Sequence, residues 1–209
     1  MANPVTIPGD LVAGGALKGL ENQAPTRRST IIQDLSQAYA LKLTEFRVWD
    51  AFQTVLTTAA TDDLGLTAGT FASGCPYITA GDQNGLGATT RYARTLFQLP
   101  PEYDAGQAIV LRFAAGVLTN PCATSCTIDV EAYLVGRDTL KSGSDLVTTT
   151  AQNCNSTSFA NYDFVLAQTG RVAGEWLDLR LTVAANHNST GTSSIPVIAA
   201  ADVLLTIRG

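Results

Sequence analysis

The side chains in this chain that could do covalent or proton-transfer chemistry are one histidine and four cysteines among 209 residues. His187 sits in the loop-like run NHNSTGTSS (186–194). A general base or a Ser-His-Asp triad would have to use it, and no G-x-S-x-G nucleophile elbow is present. The expectation is a solvated loop histidine, no catalytic residue and no enzyme. The thiols are Cys75, Cys122, Cys126 and Cys154. Cys122 and Cys126 are spaced to begin a zinc site, but zinc sites pair ligands at both ends and Cys75 and Cys154 stand alone. No metal and no cofactor is assigned. Reduced thiols and disulfides both remain open, and four cysteines allow three pairings that sequence does not separate. If one bridge forms, Cys122–Cys126 has the shortest loop to close.

The carboxylates read as structural. Asp62-Asp63, and Asp82 with Asn84, lie in turn-rich stretches without EF-hand spacing. Asp129 and Glu131, two apart on one strand face, are expected to pair across strands with Arg112. Trp49 and Trp176 have the residue type for a sugar-stacking platform, but both fall in expected strands, where packing is the simpler role. Asn155-Ser156-Thr157 and Asn188-Ser189-Thr190 match the N-glycosylation pattern. The N-terminus has no basic run followed by an apolar one, so no export signal is expected and these sites are expected to be bare.

The elements that must position these residues are strands. Gln107 to Val135 alternates on both sides of a polar turn. Ile109, Leu111 and Phe113 share one face, and Ile128, Val130, Ala132 and Leu134 share another. It reads as a central hairpin. Further strands are expected at 45–52, 77–79, 90–99, 146–150, 162–166, 176–184 and 202–208, with turn signals about every ten residues. Leu177, Leu179, Leu181 and Val183 should face inward, as should Val203, Leu205 and Ile207. About eight strands without a long amphipathic helix predict an all-β, antiparallel, jelly-roll-like β-sandwich over 46–209. Strand order is left open.

Residues 1–45 differ. Prolines and glycines break every period, yet Val5, Ile7, Leu11, Val12, Leu17 and Leu20 are apolar, which a solvated linker does not need. The expectation is an extended N-terminal arm whose anchors find cover on other subunits, with a short helical turn at 31–39. The composition narrows the partners. The formal net charge is −5 with no basic run, which argues against nucleic acid, and no apolar stretch approaches a membrane span. Charged residues are only 15% against 45% hydrophobic, so the polar surface is built from Thr, Ser, Asn, Gln and Gly.

The stretches EFRVWDAFQTVL, DDLGLTAGTF, TAGDQNGLGATTRYARTLFQLPPEYDAGQ and the closing IRG resemble a group of tailed-bacteriophage virion proteins over nearly the whole chain. The resemblance carries no catalytic motif. It implies a head decoration (cement) or head-fibre protein, located in the virion and assembled in the host cytoplasm. Such a protein would form a homo-oligomer, with a trimer favoured, and its arms would contact the major capsid protein. The alternative is a lectin-like, host-glycan-binding fibre or receptor-binding module, with its site in loops 57–88 and 186–194.

Overall fold

The computed structural model describes residues 34–136 and 143–208. Among the described residues ten strands run in chain order: β1 (Asp34–Ala40), β2 (Gly65–Thr67), β3 (Tyr77–Thr79), β4 (Gly87–Gln98), β5 (Ile109–Val117), β6 (Ser125–Val135), β7 (Gln152–Asn153), β8 (Ala160–Leu166), β9 (Trp176–His187) and β10 (Pro196–Arg208). They form two antiparallel sheets. One has the order β2-β3-β10-β5-β8, with β1 also on β10; the other has the order β4-β9-β6-β7. The architecture is the expected jelly-roll-like antiparallel sandwich.

Alternation explains the core. Ile109, Leu111 and Phe113 of β5, Ile128, Val130 and Ala132 of β6, and Leu177, Leu179, Leu181 and Val183 of β9 are all buried between the sheets. Phe113 meets Phe164 edge-on at 6.1 Å between centroids. Burying a side chain of this size contributes about 1.5–3 kcal/mol.

The central hairpin does not form. β5 pairs with β10 and β8, and β6 pairs with β9 and β7, so the two strands belong to different sheets. Their apolar faces oppose each other across the core instead of lying side by side. The connection 118–124 crosses between sheets and is held there: Leu118 N donates to Ile195 O and Thr124 N to Asn186 O. Alternation reports one buried face, but a strand can meet that demand with any neighbour.

Four further expectations are corrected. Residues 34–40, assigned to the arm and in part to a helical turn, are a strand. They pair with β10 from Asp34↔Arg208 to Ala40↔Asp202, on the same side of β10 as β3, which takes Val197 and Ile198. Without β1 that half of β10 would present a bare row of backbone groups, so the sandwich starts before residue 46. The anchors Val5, Ile7, Leu11, Val12, Leu17 and Leu20 lie outside the described residues. Residues 45–52 are not a regular strand. A 3-10 turn at Leu43–Glu45 leads to Arg47, which bridges to Arg94 and Val55, and the chain doubles back with Thr54 N donating to Ala51 O. The last strand begins at Pro196 rather than Asp202, because a register shift between Ile198 and Ala200 breaks the alternation there. At 146–150 only Val147 is bridged, to Leu166.

Candidate functional site

The outward face of the four-stranded sheet carries a dense set of aromatic and charged side chains. Strand register puts them in rows across β4, β9 and β6. Tyr92, Thr182 and Asp129 form one row, Arg94, Arg180 and Glu131 the next, and Leu96, Asp178 and Tyr133 a third. The doubled-back segment after Arg47 lies along β4 and brings Trp49 over this face, with its ring 5.1 Å from that of Tyr92. Trp49, Asp50, Arg94, Glu131, Tyr133, Asp178 and Arg180 line a trough of about 310 Å³.

Two arginines directly opposite each other would repel, but each has a carboxylate. Arg94 grips Asp178 with two hydrogen bonds, Nε to Oδ1 at 2.7 Å and Nη2 to Oδ2 at 2.6 Å. Arg180 Nη2 meets Glu131 Oε2 at 2.6 Å. The guanidinium groups also lie over aromatic rings. Arg180 lies 4.9 Å from the Tyr92 centroid and 5.6 Å from that of Trp49, and Arg94 lies 5.2 Å from that of Phe52. Trp49 is oriented by its Nε1–H, which donates to Asp62 Oδ2 at 3.2 Å. Arg180 Nε is buried and makes no hydrogen bond. The trough therefore combines planar apolar rings, fixed carboxylate acceptors and guanidinium donors.

Burial raises the Asp129 carboxyl above the ordinary aspartate range, opposed by a hydrogen bond from Val130 N. Asp63, next to the Trp49 anchor, is likewise raised, first by burial and then by the neighbouring charges of Asp62 and Asp50.

The residues singled out from sequence are distributed differently. Glu131 pairs with Arg180, while Arg112 sits in the other sheet and holds Asp163 with two bonds of 2.7 Å. His187 is not a solvated loop residue. It ends β9, is 1% exposed, accepts from Ala123 N through Nδ1 and meets Thr192 O through Nε2. Those bonds require the Nε2–H tautomer and leave neither nitrogen for catalysis. Trp176 lies on the same sheet face but lines a separate hollow with Val135 and Ala173, so the tryptophans form no joint platform. Loops 57–88 and 186–194 do meet. Gly85 N donates to Ser189 O, Gly191 N to Asn84 Oδ1, and both Asn84 N and Ser194 N to Asp82 Oδ1. Asp82 and Asn84 thus close turns. Asn155 spends its amide on Cys122, accepting from the Cys122 N–H and donating to its carbonyl.

Cys122 and Cys126, the candidate bridge, are free thiols and both are buried. Cys126 Sγ lies 3.5 Å from Cys154 Sγ, a partner no spacing rule suggested. Among the described residues no group of three His, Cys, Asp or Glu is arranged to hold a metal ion. Sequence reasoning also missed Tyr92, Arg94, Tyr133, Asp178 and Arg180. The signal was there in part, since the outward positions of these strands include Tyr92, Tyr133, Arg94 and Arg180, large side chains that a merely solvated sheet face does not need.

No protein-family model matches the chain, and no curated protein matches it. Among solved structures it is similar to a family 16 carbohydrate-binding module, at 10% identity and TM-score 0.37 over 67% of this chain and 84% of that one. It is similar to the CBM22-1 xylan-binding domain from Paenibacillus barcinonensis Xyn10C, at 9% identity and TM-score 0.37 over 85% and 97%. It is also similar to an apo cyclase from Fischerella sp., at 12% identity and TM-score 0.41 over 86% and 92%. At these scores the likeness carries no functional argument.

Proposed function

We propose that the chain is a binding module that takes a sugar on the outward face of its four-stranded sheet. The observation that supports this is the trough itself. A pyranose has a C–H-rich face that stacks on Trp49, and hydroxyls that both donate and accept. Asp50, Glu131 and Asp178 supply acceptors, and Arg94 and Arg180 supply donors in fixed positions. A site on the sheet is more rigid than one on the joined loops. The test is a glycan array on the purified chain, followed by calorimetry on any hit. Saturable binding that is lost in Trp49→Ala and kept in Tyr77→Ala supports the trough. Saturable binding lost only in Tyr77→Ala moves the site to the loops, and no binding to any glycan removes the reading.

A second reading keeps the assembly role. The outward face of the six-stranded sheet carries a cross-strand row of Ala38, Leu204, Val110 and Val165, ending at the exposed edge strand β1. A second copy on this face, in a virion trimer set on the major capsid protein, would cover it. Native mass in solution tests the oligomer, and head occupancy after deletion of residues 2–30 tests the arm. A monomer that decorates heads at full occupancy without those residues would end this reading.

A further inference from the structure

We propose that Cys126 and Cys154 are a disulfide site that fastens the β7 segment to β6, with Cys122 left as a free thiol beside it. The pairing follows from strand register. Thr127 stands opposite Asn153 and Ile128 opposite Gln152, so one step further Cys126 stands opposite Cys154. The backbone confirms the step, with Cys154 N donating to Cys126 O at 2.9 Å. Directly opposed residues in an antiparallel pair have Cα atoms about 4.5–5.5 Å apart. That falls within the roughly 4.4–6.8 Å a disulfide spans without moving the backbone. The two sulfurs already touch at 3.5 Å, and both residues are almost fully buried, at 0% and 2% exposure.

Cys122 is the competitor, since it too is a buried thiol four residues from Cys126. Its other contacts hold it back. Its sulfur lies 3.1 Å from Ser194 Oγ, and its backbone N–H and carbonyl are both clasped by the Asn155 amide, at 2.6 and 2.9 Å. Hydrogen bonding from Cys126, and to a lesser degree from Ser194, lowers the Cys122 thiol to about 6 against the opposing effect of burial. In the folded protein, hydrogen bonding with Cys122 and Cys154 and then burial push the Cys126 thiol up; oxidation therefore falls in the still-open chain.

The oxidant is a small disulfide such as oxidised glutathione, acting while the chain folds and the thiols are still accessible. The Cys154 thiolate attacks one glutathione sulfur, releasing one glutathione thiolate. Cys126, deprotonated to the solvent, then attacks the Cys154 sulfur of the mixed disulfide and expels the second. One protein S–S bond forms, one glutathione S–S bond breaks, and two electrons pass from the two protein thiols to give two glutathione thiols, with the two protons exchanged through the solvent.

The experiment refolds the full-length, reduced chain in a glutathione redox buffer, traps free thiols with N-ethylmaleimide and maps tryptic peptides. Cleavage separates residues 113–137, which hold Cys122 and Cys126, from 142–171, which hold Cys154. The expected result is a covalent link between these peptides with the label on Cys122. The link should persist in Cys122→Ser, disappear in Cys126→Ser, and raise Tm over the dithiothreitol-treated protein. Should Cys126→Ser fail to fold, Cys122→Ser alone decides, because a link there must use Cys126. Label on all three buried cysteines after oxidative refolding overturns the proposal. So does an internal Cys122–Cys126 bridge within 113–137.

Discussion

Arg180 lies over the indole of Trp49, 5.6 Å from its centroid, while the same guanidinium is held by Glu131 at 2.6 Å. A residue outside any regular strand and two residues on different strands are thereby locked into one surface. Trp49→Ala removes the ring but neither charge. Sugar affinity should fall at least about tenfold, equivalent to about 1.4 kcal/mol, with the fold retained. Fluorescence titration in a Trp176→Phe background reads Trp49 alone, and sugar-dependent quenching there is the expected signal.

Phe164 meets Phe113 inside the sandwich, and each is at most 1% exposed. Phe164→Ala should cost about 3–5 kcal/mol, because the rigid sheets cannot collapse onto the void. Urea unfolding followed by near-ultraviolet circular dichroism measures it, and sugar binding by the folded fraction should be unchanged.

Burial, and then the charges of Asp62 and Asp50, raise the Asp63 carboxyl. Its Oδ1 is buried without a hydrogen bond. With the folded value above the unfolded one, the folded state holds the extra proton. The penalty is therefore absent below the ordinary aspartate value of about 4 and grows as pH rises through the folded value. Asp63→Asn should raise Tm at neutral pH by about 1–2 °C, solvent screening keeping it small. The gain should vanish at a pH of about 3. Thermal melts across that range check both sign and window.

His187 bonds Ala123 N at 2.8 Å and Thr192 O at 3.0 Å. His187→Ala leaves buried polar groups without partners and should destabilise by roughly 1–3 kcal/mol. Glycan affinity should not change in the folded fraction, as measured by calorimetry beside the unfolding curve.

β1 covers half of one side of β10, and Tyr39 packs edge-on against Phe97 with centroids 6.3 Å apart. A chain starting at Asp34 should melt several degrees above one starting at Leu41, since the shorter chain bares the β10 edge and should also aggregate. Calorimetry and light scattering on the two truncations compare them directly.

Much of the sandwich was legible residue by residue. Ile109-Leu111-Phe113, Ile128-Val130-Ala132 and Leu177-Leu179-Leu181-Val183 announced their buried faces by alternation, which is a local property of the pleat. Tertiary structure alone decided which strands became neighbours. β5 and β6 look like a hairpin and lie in opposite sheets, residues 34–40 look like the end of an arm and pair with the last strand, and His187 looks solvated and is buried. The trough and the Cys126–Cys154 contact are of the same kind, since both join residues far apart in the chain. A period of two states that one side of a strand must leave water, but it leaves the partner open. That choice is made by the whole chain, wherever edges, connections and core volume can be satisfied together.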